Sequence, residues 1–128
     1  MSPSYNRVCL VGYIGRDPQI SETSSGTLRA NFSLATHRFQ VAPQGDRSQK
    51  TDWHQIVAWG RLAERCRDML AKGKLALVAG RLETRTWEEE DGRQQTRAYV
   101  TARELVVFGP KPDPPENGEE EQEALAEE

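Results

Sequence analysis

Cysteine is scarce in this chain, and the two it has, Cys9 and Cys66, form no CxxC pair. With only His37 and His54 beside them, neither a metal site nor a disulfide framework is indicated. Long apolar runs are missing as well: the mean hydropathy is −0.77, and no stretch approaches the roughly 20 residues that span a bilayer. The start, Met1-Ser2-Pro3-Ser4-Tyr5, has no basic n-region and no apolar h-region, so a soluble cytoplasmic protein with no membrane partner is expected. Also absent are a carboxylate pair, a nucleophile with a nearby base and a phosphate-cradling glycine loop, because Gly12-Tyr13-Ile14-Gly15 lacks the dinucleotide spacing. No catalytic residue and no cofactor is therefore expected, and His54 reads as a polar contact in a core or interface.

What is present divides at residue 109. Residues 1–109 hold 16 Lys and Arg against 12 Asp and Glu, a net of +4, whereas residues 110–128 hold one Lys and eight acids, a net of −7. The overall charge of −3 thus hides a basic domain and an acidic appendage, and the pI of 5.5 alone would argue wrongly against an anionic partner. The stretch 110–128 is rich in Pro and Glu and poor in apolar residues, a composition that cannot support a packed core, so it is expected to be a disordered tail behind a single domain at 1–109.

Within 1–109 the periodicity switches once from two to 3.6. Asn6 to Ile14 reads as a strand apolar on both faces, which suggests that both are covered, one of them by a neighbouring copy. Thr27 to Thr36 alternates cleanly, with Leu28, Ala30, Phe32 and Leu34 inward and Arg29, Asn31 and Ser33 outward. Between them Gly15-Arg16-Asp17-Pro18 is a turn and Ser21 to Gly26 a polar connection. His37 to Lys50 is expected to be a long basic hairpin loop. Trp53, Gln55, Val57 and Trp59 then fall on one face of a third strand, opposite His54, Ile56 and Ala58. From Leu62 a helix runs over Cys66, Met69 and Leu70 until Lys72-Gly73 closes it. Lys74 to Trp87 and Gln94 to Phe108 form two more strands around a turn containing Asp91-Gly92. Gly80 marks a bend or bulge in the first of this pair. Three strands, a helix and two strands make an all-β, five-stranded oligonucleotide/oligosaccharide-binding (OB) barrel with one helix between strands 3 and 4.

The tryptophan face needs an explanation, because indoles usually go inside. Trp53, Trp59 and Trp87 have polar or small neighbours on their own faces, and Arg81 and Arg85 share the face of Trp87. Aromatic planes among guanidiniums match what single-stranded nucleic acid offers, flat bases on a polyanion. Arg38, Arg47 and Lys50 on the long hairpin, with Arg61 and Lys72 at the helix ends, are candidates to neutralise phosphates. The commoner role of such residues is a solvated surface.

At this point the sequence resembles a known family. Asn6 through Pro18, Asn31-Phe32-Ser33-Leu34-Ala35-Thr36, Trp53 through Glu64, and Lys72-Gly73 through Gly80-Arg81-Leu82 are, in order, the signature blocks of bacterial-type single-stranded DNA-binding proteins (the SSB family). The resemblance covers about residues 5–108. It implies an OB fold, usually assembled as a homotetramer, that wraps single-stranded DNA without base readout in replication, recombination and repair. It places Trp53, Trp59 and Trp87 at stacking positions and Arg61, Lys72 and Arg85 at phosphate-contacting ones. Three departures stand out: Gln40 where many members have an aromatic, with Phe39 one residue earlier; Ser21-Glu22 in place of a common Arg-Tyr pair; and Glu83 where a basic or polar residue is usual. The tail also lacks the Asp-rich, Pro-Phe-containing tip through which relatives recruit replication and repair proteins, which leaves that partnership open. An accessory OB protein of replication restart, acting mainly through protein contacts, is the alternative reading, and a nuclease the remote one.

Overall fold

In the computed structural model, which describes residues 3–109, seven elements follow one another: β1 (Val8–Ile14), β2 (Gln19–Glu22), β3 (Leu28–Val41), β4 (Arg47–Trp59), α1 (Arg61–Met69), β5 (Leu75–Glu88) and β6 (Gln94–Val107). The predicted acidic tail lies outside the described residues.

Five long strands close into a barrel in the order β1, β5, β6, β4, β3. Two short pairings make the closure. Tyr13 and Ile14 of β1 meet Ala35 and Leu34 of β3, and β4 runs parallel to β6 at Ile56–Val100 and Val57–Thr101. Closure removes the free edges that an open sheet of this size would expose. Gly12 is what lets β1 reach β3, since a β-carbon there would collide with the Ala35 carbonyl. The helix sits between β4 and β5, as the order of elements implies.

The interior is filled by the inward residues of each strand, among them Ile14, Phe32, Leu34, Ile56, Val78, Val100 and Leu105, with Ala63, Cys66 and Leu70 of the α1 region packed in the same cluster. Burial leaves the Cys66 thiol without solvent and pushes its pKa up to about 12. Beyond the core, every tight hairpin closes in the same way. Thr23–Thr27, Ala42–Asp46 and Glu89–Arg93 each carry an N–H to C=O bond between their ends and a second bond from the glycine N–H. Gly26, Gly45 and Gly92 have φ of 88°, 93° and 87°, the left-handed conformation that a three-residue loop with a glycine bulge requires.

Three expectations need correction. The stretch from His37 to Lys50 is a ladder and not a loop: β3 and β4 stay in register out to Val41–Arg47, and only residues 42–46 turn. Both faces of that extension are exposed, so no hydrophobic alternation announces it. The connection after Pro18 contains a short strand, β2, paired with β3 from Gln19–Asn31 to Glu22–Leu28; four residues with one apolar side chain, Ile20, are too few to show a period. The helix ends at Met69, because Leu70 is extended and buried. Gly73 closes the following turn instead, its N–H bonded to the Ile14 carbonyl. Within the single chain β1 is covered on one face only, and the other is the face expected to meet a neighbouring copy. Val11 is 49% exposed, and the register places it in a row with Leu77 and the 46% exposed Val106.

A candidate single-strand interface

The outer face of the barrel is built by the odd-numbered residues of β3 and β4. Their register pairs Arg29 with Trp59, Asn31 with Val57, Ser33 with Gln55, Ala35 with Trp53 and Phe39 with Gln49. Directly paired residues share a face. Trp53, Trp59, Phe39 and Arg47 therefore project from the same side, with Trp53 57% and Trp59 43% exposed. The surface continues through the parallel contact of Val57 with Thr101 onto β6 and β5. There Arg81 faces Thr101, Glu83 faces Tyr99, Arg85 faces Arg97 and Trp87 faces Gln95.

Each aromatic is held by a particular neighbour. Trp53 lies against Gly15: a β-carbon at residue 15 would fall inside contact with the six-membered ring, with two further ring atoms at 3.0 and 3.3 Å. The Arg29 guanidinium stands 5.5 Å from the Trp59 ring centre, and its Nε is sealed from solvent with no hydrogen-bond partner, which leaves the ring as its electrostatic support. Trp87 has two such cations, Arg85 and Arg97, both at 5.8 Å, and Phe39 has Arg47 at 5.1 Å. A cation over a ring orients it and leaves donors for a neighbouring phosphate.

One acid interrupts this face. Thr101 Oγ1 donates to Glu83 Oε2 at 2.7 Å, and Tyr99 stands directly across the ladder from the same carboxylate. Hydrogen bonding, first from Thr101 and then from Tyr99, holds the Glu83 carboxyl below the usual carboxylate range. The Tyr99 phenol is raised by the same bond. Arg81 Nε stands 3.9 Å from the other carboxylate oxygen.

The residues singled out in the sequence do not all meet. Trp53, Trp59, Trp87, Phe39, Arg47, Arg81 and Arg85 share the outer face. Phe39 is in line with the tryptophans, since an aromatic on an odd-numbered position of β3 belongs to this face. Arg38 and Lys50 are paired with each other on the reverse side of the hairpin, and Arg38 is engaged by Asp52 at 2.8 Å. Arg61 opens α1 directly beyond the Trp59–Gly60 corner. Lys72 is in the turn that bonds Ile14 through Gly73, next to the Gly15 on which Trp53 rests, and its N–H is fixed by Asp17 at 2.9 Å. Val57, expected on the open face, is only 6% exposed: a short side chain between strands on both sides sits below its neighbours. His54 bonds Thr36 at 2.8 Å on the inner face. Arg29, Arg97, Tyr99 and Gly15 belong to the surface but were not singled out. The outward alternation of β3 carried the signal for Arg29. The others depended on tertiary contacts.

Comparison with known proteins agrees with this geometry. The profile described as the Single-strand binding protein family matches residues 5–108. "Single-stranded DNA-binding protein 1" of Chlorobaculum tepidum is 37% identical over 112 residues, covering 87% of this chain and 69% of its own length. The "Single-stranded DNA-binding protein" of Neisseria meningitidis serogroup A is 35% identical over 106 residues, and this chain spans 61% of that relative. Among solved structures, a Plasmodium falciparum SSB in complex with ssDNA superposes with a TM-score of 0.78 at 28% identity, over 85% of this chain and 99% of that one. The chain belongs to the single-strand binding protein family.

Proposed function

We propose that the protein binds and protects single-stranded DNA during replication, recombination and repair, without base readout and without catalysis. The observation that carries this reading is one continuous outer surface, across β3, β4, β6 and β5, on which Trp53, Trp59 and Trp87 alternate with Arg29, Arg81, Arg85 and Arg97. Indoles stack on any base, at roughly 1–3 kcal/mol each, and guanidiniums neutralise the backbone, so affinity needs no sequence. Phe39 and Arg47 extend the same surface along the hairpin, Arg61 follows Trp59 at the start of α1, and Lys72 lies in the turn beside the Gly15 that supports Trp53. Arg38 and Lys50 serve a strand that wraps around the hairpin onto its reverse side.

The proposal includes a cytoplasmic homotetramer in which the apolar row Val11, Leu77 and Val106 is covered by a second copy. Residues 1–109 form the binding domain, and 110–128 add an acidic segment to it. A fluorescence titration with oligothymidine, read together with mass from light scattering, tests both parts. Single strands should quench the tryptophans, and Trp53→Ala and Trp87→Ala should each weaken binding by roughly 1–3 kcal/mol. Full affinity in both folded variants would sink the stacking role, and a monomeric mass at micromolar concentration would sink the assembly.

A further inference from the structure

We propose that Tyr99 is a fourth base-stacking residue of this surface and that Glu83 is the positioning residue which holds it there. The proposal rests on the single-strand reading above and deepens it. On the outer face, three successive pairs join β5 to β6: Arg81 with Thr101, Glu83 with Tyr99, and Arg85 with Arg97. Tyr99 therefore occupies the middle of the ladder, between the Val57–Thr101 junction near Trp59 and the Trp87–Gln95 pair near the hairpin tip. No other aromatic lies on that stretch of the two strands.

Directly paired across the ladder, Tyr99 and Glu83 project from the same face, and Tyr99 is half-buried there, so part of its ring rests on the strands and part is open to a base. Arg29, which caps Trp59, and Arg85, which caps Trp87, are the cations near enough to act on Tyr99. An aromatic ring with guanidiniums nearby thus also stands between the two tryptophans.

Glu83 explains itself in this setting. An acid on a polyanion-binding face would ordinarily repel phosphate. Here one carboxylate oxygen accepts from Thr101 at 2.7 Å, Arg81 stands 3.9 Å from the other, and Tyr99 is its direct partner across the ladder, placed for its hydroxyl to donate to the carboxylate. The carboxylate spends its acceptor capacity on fixing an aromatic plane. Ordering Tyr99 in advance spares the bound state that entropy loss.

The test uses the full-length protein and oligothymidine at several salt concentrations. Tyr99→Leu keeps apolar cover over the sheet but removes the π face. It should weaken binding roughly 5- to 100-fold with an unchanged salt slope, because the lost group carries no charge. Tyr99→Phe keeps the ring and loses the tether, so its loss should be smaller. Glu83→Ala supplies the readout that a purely structural role would not move. In the native background it should weaken binding by freeing Tyr99, whereas in Tyr99→Leu it should tighten binding, since only the repulsive charge is then removed. Wild-type affinity in folded Tyr99→Leu, with Trp53→Ala still impaired, would overturn the assignment of Tyr99 and leave the single-strand reading intact. Equal tightening by Glu83→Ala in both backgrounds would overturn the role of Glu83.

Discussion

Replacing Gly15 by alanine should damage DNA binding while leaving the fold almost untouched. The backbone at residue 15 is not left-handed, so alanine is accommodated there, and loss of unfolded-chain freedom favours the variant by about 0.4–1 kcal/mol. Its methyl group, however, would enter the six-membered ring of Trp53, with the next two ring atoms at 3.0 and 3.3 Å. The indole must retreat by on the order of 1 Å to regain ordinary contact. Trp53 is 57% exposed and can swing outward without opening a void in the core. Baring about 40 Å² of ring against the strand costs about 1 kcal/mol. The two effects nearly cancel, so stability should change by less than about 1 kcal/mol. The stacking plane is another matter: tilted away from its neighbours, it should lose about 1–2 kcal/mol of the 1–3 that a stacked base contributes, roughly 5- to 30-fold in Kd. Urea unfolding and an oligothymidine titration on the same preparation measure both quantities. A Gly15→Ala protein that binds like wild type would refute the argument that this glycine positions the indole. Gly80→Ala is the useful contrast, because its methyl would strike the Thr101 carbonyl of the backbone and should lower stability first.

The basic residues should separate by face. Arg85→Ala should reduce the salt slope of binding by about 1, while Arg38→Ala, whose charge is already shared with Asp52 and would meet the strand only where it wraps onto the reverse side, should reduce it by less; equal slopes for the two variants would contradict the division. Glu83 has a lowered folded pKa, so its contribution to stability is present above its unfolded value of roughly 4.3 and is lost as pH falls through the folded value. Tyr99, raised by the same bond, contributes below roughly pH 10 and loses its contribution as pH rises through its folded value. Carboxyl chemical shifts followed against pH should give Glu83 a higher midpoint in Thr101→Val, and an unmoved midpoint would remove Thr101 as the first cause. Cys66, buried with its thiol pKa near 12, should react with a thiol reagent only as fast as the protein unfolds; prompt modification in native buffer would show that the helix does not seal it.

Much of the barrel was legible because its core strands keep a strict period of two: the inward set Leu28, Ala30, Phe32 and Leu34 and the inward pair Ile56 and Ala58 follow from alternation alone. The helix showed itself by the change of period after Trp59. The outer ends of β3 and β4 did not, since an exposed ladder needs no apolar residue and Arg38, Gln40, Ser48 and Lys50 look the same in a loop. The three tryptophans were conspicuous as indoles among polar neighbours. Gly15 acts only across space on Trp53, and Arg29 only across the ladder on Trp59, so neither had a local signature of its role. Tyr99 was hidden for a different reason, which lies in the backbone of β6.

Between Ala79 and Gly80 the pairing of β5 with β6 slips by one residue: Ala79 meets Glu104 and Gly80 meets Ala102, leaving Arg103 unmatched. Gly80 makes this possible, for its backbone passes too close to Thr101 to carry a side chain. On one side of the slip the buried residue of β6 is Leu105, an odd position, and on the other side the buried residues are Ala102 and Val100, even positions. One supernumerary residue thus acts as a phase shifter for the whole arm. With Arg103 in place, Thr101, Tyr99, Arg97 and Gln95 point outward and Val100 packs inside. Deleting it with the pairings on either side kept would leave Ala102 opposite Gly80 and Glu104 opposite Ala79 as successive residues, so the inward set Leu105, Ala102 and Val100 would survive and only the local kink would be lost. The consequence for chain length is uneven: losing Arg103 removes only the surplus residue, whereas a one-residue insertion or deletion between Thr96 and Ala102 would exchange the two sides of the strand from that point to the bulge, which no single substitution can do.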